Sequence, residues 1–66
     1  MKFNLKFNDI DEERNLKDDY SIKNLFDDLS VSGQTIVAKQ NGELAVEESL
    51  INDGDMIQLI QIIYGG

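Results

Sequence analysis

The sequence contains no cysteine and no histidine. The first absence removes disulfides, thiolate nucleophiles and cysteine-held metals. The second removes the imidazole base, the Ser–His arrangements of hydrolases and the usual zinc ligand sets. A basic excess is missing too. Thirteen acidic residues stand against 6 basic ones, giving a net charge of −7, which argues against direct nucleic-acid binding. Such a balance suits solubility and a basic protein partner. Neither a G-x-G-x-x-G nor a Walker loop occurs. Long apolar runs are also lacking. The richest stretch, residues 56–64, is broken by Gln58 and Gln61 and is far too short for a bilayer. The opening "MKFNLKFNDI" alternates instead of running apolar, so no leader or membrane association is expected and the chain reads as a cytoplasmic monomer.

Few residues remain for chemistry. Asp27–Asp28 and Glu47–Glu48 are adjacent in sequence, and neighbours one apart do not face each other on a helix, so they read as solvated surface. Asp53 and Asp55 flank a glycine but lack the further ligands of a calcium loop, and a turn explains them better. No catalytic residue, bound cofactor or metal site is expected. With 66 residues and no staple, the chain must form one domain held by a single hydrophobic core.

What is present is a clear pattern of elements. In "KFNLKFN" (2–8), Phe3, Leu5 and Phe7 share one face and polar residues the other, the mark of a half-buried strand. A polar turn and a weaker strand around Glu13–Lys17 follow. "DDYSIKNLFDDLSVSG" predicts the one helix. Ser21 is its cap, Asp18 and Asp19 lie near its positive end, and Ile22, Leu25, Phe26 and Leu29 form an apolar stripe. Gly33 is placed to end it. Asp27 and Asp28 sit at the negative end, where solubility is their only evident purpose. "TIVAKQ" (35–40) predicts a strand with Ile36 and Ala38 on one face and Val37 and Lys39 on the other. Asn41–Gly42 predicts a type I′ hairpin turn. A short strand around Leu44–Val46, a turn at "NDGD" (52–55) and a long strand "MIQLIQIIY" (56–64) complete the chain.

The last strand is apolar on both sides, so it belongs at the centre of its sheet, paired in parallel with the first. These elements specify an α+β roll: a mixed four- to five-stranded sheet with one helix packed across it. The expected core is Phe3, Leu5, Ile22, Leu25, Phe26, Ile36, Ile57 and Leu59. The domain is expected to span residues 1–64. Gly65 and Gly66 then form a flexible tail, a peptide narrow enough to thread a tight channel.

An N–G hairpin, a D–G–D turn, an Ile-rich strand and Gly–Gly in succession resemble the ubiquitin-like sulfur-carrier and modifier family, which includes ThiS, MoaD, the ubiquitin-related modifier and the small archaeal modifier proteins. "NDGDMIQLIQIIYGG" is similar to the ThiS ending. "IIYGG" and the short, tryptophan-free "ELAVEESLIN" look more like the archaeal modifiers. The resemblance implies a ubiquitin-like β-grasp fold and a protein that is not itself an enzyme. It further implies that an ATP-dependent activating enzyme adenylates the Gly66 carboxylate, with Gly65 beside it. The product is then sulfurated to a thiocarboxylate with a sulfurtransferase, or joined to a lysine of a substrate protein. ATP would be used by the partner. Sulfur delivery to tRNA, molybdopterin or thiazole and protein tagging all stay open. On the sheet's open face, Gln58, Ile60 and Ile62, with Val37 and Lys39, are the expected docking residues. The competing function is a non-covalent ubiquitin-like interaction domain with an inert tail.

Overall fold

Alternation along the first strand fixes which side of the sheet becomes the core. The computed structural model describes residues 1–62. Within them run β1 (Lys2–Phe7), β2 (Ile10–Asn15), α1 (Ile22–Leu29), β3 (Ile36–Gln40), β4 (Glu43–Ala45) and β5 (Met56–Gln61). The five strands form one sheet in the order β2-β1-β5-β3-β4. β5 is central, with β1 parallel on one side and β3 antiparallel on the other. This is the roll expected from the sequence, with α1 across one face. The expected extension of the last strand to Tyr64 and the Gly65–Gly66 tail lie outside the described residues.

All eight residues expected in the core are buried, and Phe3, Leu5, Ile22, Leu25 and Ile57 are sealed from solvent almost completely. Tyr20, Ala38 and Ile51 join them. Ile51 enters from an irregular segment held by its N–H donating to the Tyr20 carbonyl.

The helix begins where Ser21 predicts. Its hydroxyl accepts from the Asn24 N–H, and the Asn24 side chain accepts from the Ser21 N–H, a reciprocal capping box. The next unpaired donors of the first turn are met from across the fold: Ile22 N–H donates to the Ser49 carbonyl and Lys23 N–H to that of Glu47. Asp18 and Asp19 fall in the preceding turn, outside the first helical turn. The helix ends sooner than expected. Ser30, at φ 58°, takes the left-handed position assigned to Gly33. Its N–H donates to the Asp27 carbonyl and that of Val31 to Phe26, the Schellman pairing. Gly33 serves a different purpose: the Glu47 carboxylate lies so close that a Cβ there would collide with it.

β2 starts earlier than expected. Phe7 pairs with Ile10 across a two-residue turn in which Asn8 has φ 54°, so the strand covers residues 10–15 instead of 13–17. The N–G turn has positive φ at both residues, Asn41 at 54° and Gly42 at 88°, as a type I′ turn requires.

Candidate functional site

With the helix covering one face, the other face of the sheet is open. Residues paired across strands share a face. Val37 pairs with Ile60 and Lys39 with Gln58, so four of the sequence-predicted docking residues form two adjoining cross-strand pairs. Val37, Lys39 and Ile60 are half-buried and Gln58 is exposed. Ile62 lies one residue beyond β5, half-buried, its N–H donating to the Thr35 carbonyl at 2.7 Å and continuing the ladder with β3. Gly65 and Gly66, the two predicted activation residues, lie outside the described residues.

The register adds neighbours that no single stretch of sequence reveals. Lys6 stands beside Gln58 and Asn4 beside Met56 through the parallel pairing, and Leu44 stands beside Lys39. Lys6 was legible as a polar-face residue of the first strand. Its proximity to Gln58 depends on a pairing register that alternation alone does not set. The resulting surface has the Val37–Ile60 pair toward the end of β5 and Met56 at its start, with the row Lys6–Gln58–Lys39 between them.

Charge is unevenly placed. Lys2, Lys6 and Lys39 belong to the open face, where Asp11 and Glu13 of β2 are the acids opposing them. Lys2 and Glu13 form an exposed ion pair at 3.4 Å. Glu12 shares the helix side of the sheet, and Asp27 and Asp28 ride on the helix. The basic partner suggested by the net charge therefore does not match this face, whose lysines suit a carboxylate-rimmed apolar surface.

The turn before β5 is held firmly. Lys2 N–H donates to Asp53 Oδ1 at 2.9 Å, and Gly54, at φ 83°, donates its N–H to the Lys2 carbonyl at 2.7 Å. Asp55, 8% exposed, accepts from Gln40 Nε2 at 2.6 Å, Asn41 Nδ2 at 2.9 Å and the Asn52 N–H at 2.8 Å. Burial pushes its pKa up, but the hydrogen bonds from Asn41, Asn52 and Gln40 outweigh it and hold the carboxyl below its ordinary value. Asn41 Oδ1 accepts from the Met56 N–H at 3.0 Å, so the N–G and D–G–D turns interlock at the start of β5. Asp53 and Asp55 thus serve separate structural partners. Among the described residues no group of three or more acidic side chains is placed to hold a metal ion, and no helix is long and apolar enough to cross a membrane.

Comparison with known proteins places this geometry. The model of the ThiS family matches residues 1–66. Among solved structures, the chain is similar to SAMP1 from Haloferax volcanii, with a TM-score of 0.75 at 16% identity and all of both chains covered. It is similar to the thiamine biosynthesis protein ThiS from Geobacter metallireducens, with a TM-score of 0.66 at 20% identity, covering 96% of this chain and 99% of that one. A ubiquitin-like protein from Caldiarchaeum subterraneum gives a TM-score of 0.63 at 18% identity, covering 98% and 100% respectively. No curated protein sequence matches significantly. At these identities the structural likeness establishes the fold, a ubiquitin-like β-grasp, and the family match covers the whole chain.

Proposed function

The chain belongs to the ThiS family, and from that membership we propose that it is a carrier activated at the carboxylate of Gly66. A partner enzyme supplies ATP. The carboxylate oxygen attacks the α-phosphorus, pyrophosphate leaves, and a glycyl-adenylate forms. A persulfide of a sulfurtransferase then displaces AMP to give an acyl disulfide, whose S–S bond a second thiol cleaves to leave the thiocarboxylate, or a lysine amine of a substrate protein displaces AMP, loses its proton and yields an isopeptide bond. A free carboxylate is a poor acyl donor and AMP a good leaving group, which is why activation comes first.

The family match along residues 1–66 carries this reading. Two features support it. The sequence places Gly65 and Gly66 shortly after the central strand, and a peptide without side chains fits a narrow channel. The open face carries Val37 and Lys39 on β3 and Gln58 and Ile60 on β5, with Ile62 one residue beyond β5, a surface on which the activating enzyme docks while Gly66 reaches its nucleotide.

Pyrophosphate exchange with the cognate activating enzyme tests it. The intact chain supports exchange, Gly66→Ala slows it, and deletion of Gly66 abolishes it. Undiminished exchange by the deletion variant would leave a non-covalent docking domain with an inert tail as the better reading. Mass spectrometry of protein from its native cell then separates the two fates: replacement of one oxygen by sulfur, or linkage to a lysine.

A further inference from the structure

A groove lies at the β4 edge of the sheet, adjoining the open face at Val37 and Leu44 and running from there toward α1. β4 pairs with β3 only over Ala38–Gln40, which leaves the β3 edge uncovered at Ile36 and Val37. Past Ala45 the chain turns toward the start of α1, where Glu47 and Ser49 accept the helix N–H groups. The gap so formed is a groove of about 380 Å³ with Phe26, Gly33, Ile36 and Val46 in its walls. Its lining is mainly apolar, and Glu47 and Glu48 are its charged residues. Leu44 and Val46, both in its lining, are 74% and 66% exposed.

Glu47 is the telling residue. It is half-buried, its carboxylate rests against Gly33, and the ion pairs among the described residues, Lys2–Glu13 and Arg14–Glu12, leave both it and Glu48 without a cation. A partly desolvated carboxylate beside apolar walls gains from a cation brought by a partner. The neighbouring β4 is the end of the sheet, so one side of its backbone is free to accept another strand.

We propose that this groove is a second docking surface, taking an extended segment of a partner protein in which an apolar residue is flanked by lysine or arginine. The segment adds to the β4 edge through main-chain hydrogen bonds. Its apolar side chain enters between Phe26 and Val46, and its cations meet Glu47 and Glu48. A second copy of this chain is a poor occupant: its other free edge, β2, carries Asp11, Glu12 and Glu13, and β4 itself carries Glu43. This surface differs in charge from the lysine-bearing open face, and the inference stands whether or not Gly66 is adenylated.

The test is an amide chemical-shift titration of the full chain with the peptide acetyl-Lys-Val-Lys-Val-Lys-Val-Lys-amide, against a version with glutamate for lysine. Shifts are expected at Gly33, Ile36, Val37 and residues 43–48 with the basic peptide alone. Glu47→Gln with Glu48→Gln weakens affinity about tenfold, while Asp18→Asn with Asp19→Asn changes it less than about twofold. The spectrum itself reports whether each variant is folded, and Glu48→Gln alone replaces the double variant if that one is not. Equal weakening by the two double variants would reduce the effect to attraction toward net charge and overturn the proposal. So would shifts centred on Ile60, an absence of shifts at millimolar peptide, or peptide-free self-association through the groove.

Discussion

Asp55 shows how one carboxylate ties distant turns together. Its pKa is lowered in the folded protein, so its contribution is full above the unfolded value of 3.8 and is lost as pH falls through the folded value. Thermal melts recorded from neutral pH downward should therefore hold their midpoint until about pH 4 and then decline, with Asp55 one source of the fall. Asp55→Asn removes the charge and turns an amide donor toward donors from Gln40, Asn41 and Asn52. It should cost about 1–3 kcal/mol at neutral pH and flatten the acid limb. Ser30 offers the opposite kind of test. An L-residue at φ 58° is strained, and Ser30→Gly relieves that strain at some cost in unfolded-chain entropy. The net gain should be about 0.5–1 kcal/mol, read as a raised denaturant midpoint. Asp28, which sequence alone could not justify at a helix C-terminus, accepts the hydroxyl of buried Tyr20. Burial first, then that bond and the Asp28 charge, keep the phenol protonated well above its usual range.

Elements with a buried face and a regular period could be read from the sequence, and those without one could not. β1 and α1 each repeat their apolar residues at the spacing of the element, and the N–G turn needs its two residues for conformational reasons. β2 reads Ile-Asp-Glu-Glu-Arg-Asn and none of its residues is buried, so its place comes from the turn at Asn8 and from pairing with β1. Tyr20 and Ile51 are core residues in irregular segments, where no period marks them. Four of the expected docking residues could be assigned to strand faces because alternation along β3 and β5 fixes sides. Their neighbours Lys6 and Leu44 required the pairing register. The β4 groove left no signal, since it arises where a short strand stops pairing. For the open face the sharpest test is Ile60→Asp. Ile60 is half-buried opposite Val37, so the fold should survive with a loss of about 1 kcal/mol. Binding to the activating enzyme, measured by calorimetry, should fall about tenfold or more as a charge meets an apolar contact. Collapse of the thermal transition would instead make Ile60 a core residue.

At the scale of the whole molecule, β5 holds the sheet together, because it alone joins the β2-β1 pair to the β3-β4 pair. It also supplies Ile57 and Leu59 to the core. A domain of 66 residues has about 3–10 kcal/mol of stability in total, and removing two such side chains costs about 4–10 kcal/mol before any backbone pairing is counted. A chain ending at Asp55 should therefore be unfolded, with a far-ultraviolet spectrum of coil and no protected amides. A cooperative melt would show that the rest of the sheet can close without it. The parallel pairing of Asn4–Phe7 with Met56–Leu59 also decides how the molecule meets mechanical force. Tension applied at the start of β1 and the end of β5 pulls two parallel strands past each other along their length. Every hydrogen bond between them is loaded at once, whereas an antiparallel hairpin opened from its ends peels apart bond by bond. Force entering at one of these ends and leaving at the other would meet a fold that is slow to yield.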